Sequence, residues 1–467
     1  MKNCTINVDF NNRTGRKIRP MHGVGQPPIL RGEPGVNPKL FHYLQEAGIP
    51  YSRLHDVAGS YGGGVFVDVP NIFPDFDADV NDPASYSFKH TDILIRELYR
   101  FGVEPVYRLG ITIENSANIK AFHVFPPKDF KKWAEICEHI IMHYNEGWAD
   151  GFNYGITYWE IWNEPDVVFN PDNIAQTWHG TDTEFFEFFK TAATHLKSRF
   201  GDSIRVGGYA SIGFGGFERL DPDAEGVTYP EYTDYDDPEW KRAYRIDYAH
   251  RFLAFARDNN VPLDFFSWHC YSDIGPELIL ACEKHCRRIL SKYGFDNVPD
   301  FLNEWNTERR DVRRRSSPET AANTFAVMLG SQRNETAMLN YYDAGIGQGV
   351  YRGLFNPDTH YPYKNYYAFK SFNEAYRLGD EVSSELIGEG LYVIAARDER
   401  HGVILISNTN DEPFALKFNV SGTDIDCGEV ILTDDEYLYT YVGEIVKSSQ
   451  LNVKEHSMIE IRVDIKE

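Results

Sequence analysis

The sequence predicts an α/β protein, a (β/α)8 TIM barrel with a C-terminal β-sandwich. Three observations support this fold class. Over roughly the first 380 residues, short apolar runs alternate with longer amphipathic stretches, the pattern of parallel strands joined by helices. From about Leu386 onwards, strands with period-two alternation follow one another, separated by turn residues. The chain has 467 residues, about three times a typical domain of roughly 150, so it has room for both parts.

Eight apolar runs are the predicted barrel strands, enough to close a TIM barrel. Amphipathic stretches lie between them, such as 92–102, where apolar side chains recur at helical spacing and Gly102 suits the helix C-cap. The predicted strands are Met21–Gly25, Tyr51–His55, Pro105–Leu109, Thr157–Asn163, Arg205–Tyr209, Phe265–Tyr271, Phe301–Trp305 and Ala337–Tyr342.

Six later runs predict the strands of the β-sandwich. Thr5–Phe10, ahead of the barrel, has the same alternation and could add a strand to the sandwich. We therefore expect an N-terminal strand within residues 1–18, a barrel in 19–380 and the β-sandwich in 385–467. The six strands are Leu391–Ala396, Val403–Ile406, Phe414–Phe418, Val430–Leu432, Tyr437–Tyr441 and Met458–Val463.

The composition excludes several classes of protein. A composition with 42% hydrophobic and 25% charged residues is typical of a globular protein. Its formal net charge of -23 repels phosphate backbones and anionic lipids, so neither nucleic acid nor a membrane is an expected partner. No secretory signal, membrane span or disulfide pattern is evident in the sequence. We expect a cytoplasmic protein, or a secreted one if a leader was removed, and a homo-oligomer stays open.

Two long segments interrupt the predicted barrel. Residues 56–90, after the second strand, are rich in Gly, Asp and Pro, and residues 213–240, after the fifth, are rich in Tyr, Asp and Gly. Both emerge at the carboxyl face of the barrel, where active sites of this fold lie, so we expect them to shape a pocket. The alternative is a pair of tolerated surface insertions, because loop length costs little free energy.

Two glutamates stand at the ends of predicted barrel strands. In Tyr158-Trp-Glu-Ile-Trp-Asn-Glu-Pro165, the proline ends the fourth strand and presents Glu164 at the barrel mouth. Glu304 occupies the same place on the seventh strand, again beside an Asn and a Trp. Two carboxyl groups about 5 Å apart would be the arrangement of a retaining glycosidase, in which one attacks the anomeric carbon and the other protonates the leaving group. Either glutamate alone could instead be a structural residue.

Other polar residues share the predicted inner faces of the strands. His269 and Tyr271 are two residues apart and so lie on one face of the sixth strand, where Tyr271 could bind Glu304 and His269 a sugar hydroxyl. Arg53 and His55 are arranged in the same way on the second strand and could complete a polar floor. The alternative for each histidine is a purely structural place in the core.

Four tryptophans lie on or next to these strands: Trp159, Trp162, Trp268 and Trp305. Aromatic faces pack against the C–H patches of sugar rings, so tryptophans at a barrel mouth favour carbohydrate binding. Trp305, beside Glu304, is predicted to bind the substrate. Since aromatics are favoured in strands in any case, a position behind the barrel wall is the alternative for each.

Together these motifs resemble the clan A glycoside hydrolases, and within them glycoside hydrolase family 39, which includes β-xylosidases and α-L-iduronidases. By this resemblance, Glu164 is the acid/base, Glu304 is the nucleophile and Asn163 binds the sugar 2-hydroxyl. The likeness runs through the barrel on the segments Arg53-Leu-His55, Trp162-Asn-Glu-Pro165, Arg205-Val-Gly-Gly208, Asp264–Tyr271, Asn303-Glu-Trp-Asn306 and Gly353–Phe369.

The resemblance also has departures. Asp166 follows the Asn-Glu-Pro motif where the family commonly has asparagine, and the eighth strand reads Asn340-Tyr-Tyr-Asp343 where such barrels often carry a pocket tryptophan. The stretch Glu308–Arg315 contains five arginines and could bind the carboxylate of a uronic acid, with a solvated surface or a subunit contact as the alternative. These features leave the identity of the sugar open.

Other classes fit less well. No His-x-His or HExxH motif is present, the Cys282, His285, Cys286 cluster is too small for a zinc site, and no GxGxxG motif joins a strand to a helix. A catalytically silent carbohydrate-binding protein would not need both carboxylates. We expect a retaining glycosidase without cofactor or metal that acts on an oligosaccharide or glycoside. The resemblance implies a β-xylosidase-like exo-enzyme, and arabinosidase, galactosidase, glucosidase, uronide hydrolase and endo-glycosidase activities stay open as alternatives.

Overall fold

The computed structural model describes most of the chain. Residues 56–66 of the first long segment, 214–237 of the second, and 309–313 and 315 of the arginine-rich segment lie outside the described residues. Along helix 238–258, side chains are described from residue 244 onwards. The described residues are 2–28, 40–55, 67–111, 124–167, 177–213, 238–273, 275–308, 314, 316–345, 353–356, 358–387, 390–445 and 450–465.

Eight parallel strands close into a barrel in chain order, and the first strand pairs with the last to complete the ring. The predicted TIM barrel is therefore confirmed, with each predicted strand present and its ends shifted by a few residues at most. The barrel strands are β2 (Gly23–Gly25), β3 (Tyr51–Leu54), β4 (Glu104–Leu109), β5 (Tyr158–Ile161), β6 (Arg205–Ser211), β7 (Phe265–Tyr271), β8 (Asp300–Asn306) and β9 (Met338–Tyr341).

Helices connect and cover these strands. The predicted helix at 92–102 begins three residues earlier, at Lys89, and ends at Arg100, and Gly102 takes the left-handed conformation in the turn that follows. The helices are α1 (Phe41–Glu46), α2 (Val69–Ile72), α3 (Lys89–Arg100), α4 (Phe130–Asn145), α5 (Asp182–Phe200), α6 (Pro238–Asp258), α7 (Glu277–Lys292), α8 (Pro318–Asn334) and α9 (Tyr366–Leu378).

The barrel interior changes from apolar to polar along its axis. Val106, Phe265, Phe301 and Met338 form a separate buried cluster inside the ring. Because side chains alternate along a strand, the next inward residues towards the carboxyl end are polar ones such as Arg53, Glu160 and His269. These buried polar groups mark the carboxyl end as the place of a functional site.

Nine further strands form the second sheet, in the order β15-β14-β17-β12-β11-β10-β1-β13-β16. It curls around its own core of buried apolar side chains, as in a β-sandwich. Strand β1 lies inside it, antiparallel to β10 and parallel to β13. The strands are β1 (Lys2–Lys17), β10 (Asp380–Ile387), β11 (Leu391–Arg397), β12 (His401–Asn408), β13 (Phe414–Ser421), β14 (Glu429–Thr433), β15 (Thr440–Glu444), β16 (Gln450–Val453) and β17 (Ser457–Asp464).

Three details of this sheet differ from the sequence prediction. The predicted strand Tyr437–Tyr441 begins only at Thr440, because the Asp434 carboxylate accepts backbone N–H groups of Glu436 and Tyr437 and holds a turn there. Strands β10 and β16 were not predicted. β10 begins at Asp380 and so occupies the interval that the sequence leaves between barrel and sandwich.

The sheet packs directly on the barrel. Apolar residues of β11 and β12, such as Ile394 and Leu405, belong to the same buried cluster as residues of α8 and α9. The Ser407 hydroxyl donates to the carbonyl of Ala322 in α8 at 2.7 Å. Within the described part of the chain, no helix is both long enough and apolar enough to cross a membrane.

Candidate active site

A bulge in β8 brings Glu304 to the barrel mouth. Leu302 pairs with Trp268 and Glu304 with His269, so Asn303 is an extra residue on β8 at this point. The extra residue interrupts the alternation, and the side chains of Asn303 and Glu304 both make contacts inside the barrel. Bulges of this kind redirect a side chain next to active sites.

Glu164 is held in an unusual backbone conformation just after β5. Its φ is 46°, in the left-handed region that costs a residue with a side chain free energy. The surroundings fix this conformation, since the Glu164 N–H donates to the carbonyl of Ala210 at 2.9 Å and the Thr177 hydroxyl donates to the Glu164 carbonyl at 2.6 Å. Two residues later, the buried Asp166 accepts a hydrogen bond from the hydroxyl of Ser211, the last residue of β6. It accepts a second one from the N–H of Ile212, which follows the strand.

The two glutamates meet across His269. One oxygen of Glu164, one of Glu304 and a ring nitrogen of His269 lie within 4.8 Å of one another. His269 Nδ1 is 2.6 Å from Glu164 Oε1 and 3.5 Å from Glu304 Oε2. All three side chains are buried. The separation of the two carboxyl groups is that expected of a pair that acts on one bond.

Burial sets the protonation states of this group. It raises the pKa of Glu164 to about 7, against the opposing charges of Arg245 and Arg53. It lowers the pKa of His269 to about 4, so the imidazole is neutral near pH 7. In one tautomer of the neutral imidazole, Nδ1 accepts a hydrogen bond from protonated Glu164. In the other tautomer, Nδ1 donates a hydrogen bond to the Glu164 carboxylate. The site therefore holds one exchangeable proton near Glu164.

Glu304 is instead surrounded by donors to its carboxylate. Arg53 Nη1 donates to Glu304 Oε1 at 2.7 Å, and the Tyr271 hydroxyl donates to Oε2 at 2.7 Å. His55 Nε2 lies 3.6 Å from Oε1, and burial followed by the charges of Arg53 and Arg108 keeps the pKa of His55 well below its ordinary value. These contacts fix the position of the Glu304 side chain.

A second carboxylate supports Arg53 from below. Glu160 is fully buried on β5, and its Oε2 accepts from Arg53 Nε at 2.6 Å. Its other oxygen accepts from the amide of Asn303. Burial works to lower the pKa of Arg53, but the carboxylates of Glu160 and Glu304 outweigh it and the pKa lies above its ordinary value. Glu160 and Asn303 were not among the predicted site residues, although period two from Tyr158 places Glu160 on the inner face.

Asn163 is the remaining predicted residue that joins the group. Its Oδ1 accepts from Arg53 Nη2 at 2.7 Å. Its Nδ2 is buried and has no hydrogen-bond partner among the described residues. A donor held in this way, one residue from Glu164, can serve a substrate hydroxyl.

The end of β9 adds an aromatic wall that the sequence analysis did not assign. The ring of Tyr342 lies 6.5 Å from that of His55 and 6.4 Å from that of Tyr271. Its hydroxyl accepts from Gln26 Nε2 at 2.7 Å. Tyr342 could have been found from the departure of this strand from the family pattern, because the tyrosine stands close to the position where such barrels often carry a pocket tryptophan.

Trp305 does not reach the site, which corrects its predicted role in substrate binding. After the bulge its side chain points to the outer side of the barrel, where it packs edge-on against Tyr341 at 5.1 Å between ring centroids. The tryptophans at 159, 162 and 268 are also buried in the main core cluster. Aromatic residues here fill the layer between strands and helices, the alternative that strand propensity suggests.

The same three residues form the one candidate metal cluster in the described part of the chain: Glu164, His269 and Glu304. A metal would require deprotonated ligands, whereas the pKa of Glu164 is raised to about 7 by burial. The Arg53 guanidinium in contact with Glu304 also places a positive charge against any cation there. The residues fit a pair of carboxyl groups with different surroundings better than a metal site.

A closed (β/α)8 barrel that brings two glutamates together at its carboxyl end is the architecture of the TIM-barrel glycoside hydrolases. The sequence profile of Glycosyl hydrolases family 39 matches residues 12–331, well over half of the chain. The chain therefore belongs to glycosyl hydrolases family 39, as its motifs predicted.

Individual relatives are distant in sequence. A β-xylosidase from Geobacillus stearothermophilus is 22% identical over 376 residues, which are 72% of this chain, and the match spans 65% of that relative's length. The structure of a glucosidase from Croceicoccus marinus has a TM-score of 0.74 at 20% identity and covers 100% of both chains. A monomeric β-xylosidase from Caulobacter crescentus CB15 has a TM-score of 0.65 at 16% identity, with 99% of this chain and 100% of the other covered. At these identities, the structural likeness shows the shared fold.

Proposed function

We propose that this protein is a retaining glycoside hydrolase that removes terminal sugars from an oligosaccharide or glycoside, with Glu164 as acid/base and Glu304 as nucleophile. The observation that carries the proposal is the approach of one oxygen of each glutamate to within 4.8 Å. A retaining pair stands about 5–5.5 Å apart, whereas an inverting pair stands about 6.5–9.5 Å apart to admit a water molecule. Oxygens this close agree with the spacing of a retaining pair.

The different surroundings of the two glutamates support their separate roles. A general acid must carry a proton at working pH, and burial raises the pKa of Glu164 to about 7. A nucleophile must be a fixed anion, and Glu304 accepts from both Arg53 and Tyr271. The two carboxyl groups lie in one pocket but have different neighbours. Such a difference allows one carboxyl group to act as the acid and the other as the nucleophile.

The reaction follows in two balanced steps. A carboxylate oxygen of Glu304 attacks the anomeric carbon, the bond from that carbon to the glycosidic oxygen breaks, and the proton of Glu164 moves to the leaving oxygen. Glu164, now an anion, takes a proton from water while the water oxygen attacks the anomeric carbon and the ester bond to Glu304 breaks. His269 Nδ1, at 2.6 Å from Glu164, can hydrogen-bond to either form of the acid.

β-Xylosides lead the list of proposed substrates. The family and the name of the Geobacillus stearothermophilus relative support this choice. A carbohydrate substrate agrees with the unpartnered Asn163 amide beside Glu164, which can serve a sugar hydroxyl. Exo action and the sugar itself belong to the proposal.

The test is hydrolysis of 4-nitrophenyl β-xyloside, α-arabinoside, β-galactoside, β-glucoside and a uronide by the wild type, Glu304→Ala and Glu429→Ala. Glu429 is exposed in β14, so its substitution is a matched control for loss of a glutamate. We expect Glu304→Ala to lose at least about 10³-fold in kcat, and added azide to restore turnover as the glycosyl azide. NMR of the first product should show the anomeric configuration of the substrate.

Two outcomes would contradict the proposal. Activity of Glu304→Ala equal to that of Glu429→Ala would remove Glu304 from the mechanism. An inverted first product would rule out double displacement even if both glutamates prove essential. Preference for a glycoside other than the β-xyloside would change the proposed sugar and leave the mechanism in place.

A further inference from the structure

A buried arginine near the proposed catalytic pair has no assigned role. Arg108 lies on the inner face of β4, because Val106, two residues earlier, belongs to the cluster inside the barrel. Its backbone pairs in register with Glu160 of β5, the residue that supports Arg53. The side chain is 0% exposed. Arg108 therefore stands in the same polar interior as the catalytic group, one strand away from it.

Only part of its guanidinium is engaged. Nη2 donates to the buried carboxylate of Asp68. Nε and Nη1 are shielded from water and have no hydrogen-bond partner among the described residues. A buried donor without an acceptor destabilises the folded state, so native structures rarely keep two on one side chain unless something else binds them.

The unpaired Nη1 of the guanidinium lies beside the turn that leads to Asn163. A Cβ placed on Gly110 would lie 3.3 Å from Arg108 Nη1 and 3.0 Å from the Cα of Trp162, the residue before Asn163. Glycine at position 110 thus lets the guanidinium and this turn lie close together, because a side chain there would crowd both. The positive charge of Arg108 also reaches His55, where it adds to burial and Arg53 in lowering the pKa.

The charges around Arg108 indicate a neutral ligand. Asp68 compensates Arg108, and Arg53 lies between the two carboxylates of Glu160 and Glu304. Since Asp68 already neutralises the charge of Arg108, its remaining N–H groups need an acceptor but no further anion, and sugar hydroxyl oxygens are neutral acceptors for such donors. Because Arg108 makes no described contact with Glu164 or Glu304, the hydroxyl that it meets is not the one on the anomeric carbon.

We propose that Arg108 is a specificity-determining residue that donates hydrogen bonds to a hydroxyl of the bound neutral sugar remote from the anomeric carbon, at C3 or C4. This inference rests on the proposed glycosidase function. It adds a residue that recognises a hydroxyl on the side of the sugar away from the anomeric carbon. A site that donates to a substrate hydroxyl discriminates strongly against the analogue that lacks it, because its donors are then left unpaired.

The test is a comparison of hydroxyl deletions in substrate and enzyme. Wild type, Arg108→Lys and the control Arg100→Lys are assayed on the best aryl glycoside from the panel above and on its 3-deoxy and 4-deoxy derivatives. Lysine keeps the charge opposite Asp68 but offers one nitrogen in place of three, so the variant should fold. Arg100 is exposed on α3, and its substitution controls for an arginine-to-lysine change.

We expect the wild type and Arg100→Lys to prefer the parent over one deoxy derivative by about 10- to 100-fold in kcat/KM, and Arg108→Lys to reduce that preference to about threefold. An equal loss on all three substrates would show that Arg108 only supports the fold and would overturn the proposal. So would an unchanged preference.

A binding measurement separates this inference from the proposed function. Calorimetry of D-xylose, D-glucose and their 4-deoxy and 3-deoxy forms with wild type and Arg108→Lys reads the same hydroxyl contact without turnover. Discrimination that Arg108→Lys removes would support the role of Arg108 even in a protein that hydrolyses nothing. Absence of any sugar binding to the wild type, or binding that does not depend on Arg108, would overturn it.

Discussion

Glu160 gives the sharpest test of how the site is built, because it supports the catalytic group without a place in the proposed chemistry. It is fully buried, and its two oxygens accept from Arg53 Nε and from the amide of Asn303. Replacement by glutamine keeps the shape of the side chain but turns one of its two acceptors into a donor. One of the two neighbouring donors then faces another donor inside the barrel.

The cost can be worked from these contacts. A buried donor left without its acceptor costs about 1–3 kcal/mol. Complete loss of a buried ion-pair partner costs about 3–5 kcal/mol. Because Arg53 retains Glu304 as a partner, we expect a cost where these two ranges meet. We expect Glu160→Gln to lower the free energy of unfolding by about 3 kcal/mol. We expect kcat to fall by about 10²-fold, because Arg53 also positions Glu304 and small displacements of catalytic groups have effects of that size.

Urea unfolding and aryl glycoside hydrolysis measure the two effects. With a slope of about 3 kcal/mol per molar urea, the midpoint should fall by about 1 M relative to the wild type. Glu429→Gln, on the exposed side of β14, is the control for a change of one charge. Adding Asn303→Asp to Glu160→Gln restores both the charge and the polarity of the contact, and should recover more than half of the lost stability.

The reasoning fails if Glu160→Gln unfolds at the same urea concentration as Glu429→Gln with an unchanged kcat. It also fails if the double variant is less stable than the single one, since the cost would then come from packing and not from mismatched donors.

Three further predictions concern the catalytic pair and the packing behind it. Because burial raises the pKa of Glu164 to about 7, the proton needed by the leaving group is lost as the pH rises through that value, so kcat/KM of the wild type should fall above about pH 7. This limb should be absent from the pH profile of Glu164→Ala with a dinitrophenyl glycoside, whose leaving group needs no proton, and its persistence there would assign it to another group. Tyr271→Phe removes a 2.7 Å hydrogen bond to Glu304 and should lower kcat by about tenfold or more at nearly unchanged thermal stability. Trp305→Phe removes packing against Tyr341 and should lower the melting temperature with kcat within about threefold, and the reverse ranking of the two variants would contradict the assigned positions.

Much of the fold could be predicted because local patterns agree with it. The barrel strands are short apolar runs between amphipathic helices, and each predicted run contains a strand of the closed ring. Strand β10 was missed because its second half, Ser383–Ile387, is partly exposed and carries no continuous apolar face. Tyr437 to Tyr439 were assigned to a strand by their period-two alternation, whereas the Asp434 carboxylate organises a turn there.

The site could be predicted as far as alternation along single strands allows. His269, Tyr271, Arg53 and His55 lie inside the barrel as period two requires. The bulge at Asn303 depends on the register of both neighbouring strands, which no single segment encodes, and it is what turns Glu304 inward and Trp305 outward. For the same reason, no local motif points to the contact between Glu160 and Asn303, which joins strands 143 residues apart in sequence.

Strand β1 has a consequence for the order in which the protein is made. Thr5 pairs with Ile387 on one side and with Lys417 on the other, so the strand has no partner until β10 has been synthesised and lacks its second partner until β13 has followed. At roughly 5–20 residues per second, β10 follows β1 by about 20–70 s on the ribosome. During that interval the barrel strands emerge and can pair, while the apolar side chains of Ile6, Val8 and Phe10 lack their native cover. The second sheet is therefore the last part of the molecule to be completed. Its first strand, β1, is the strand that remains longest without the strands it pairs with.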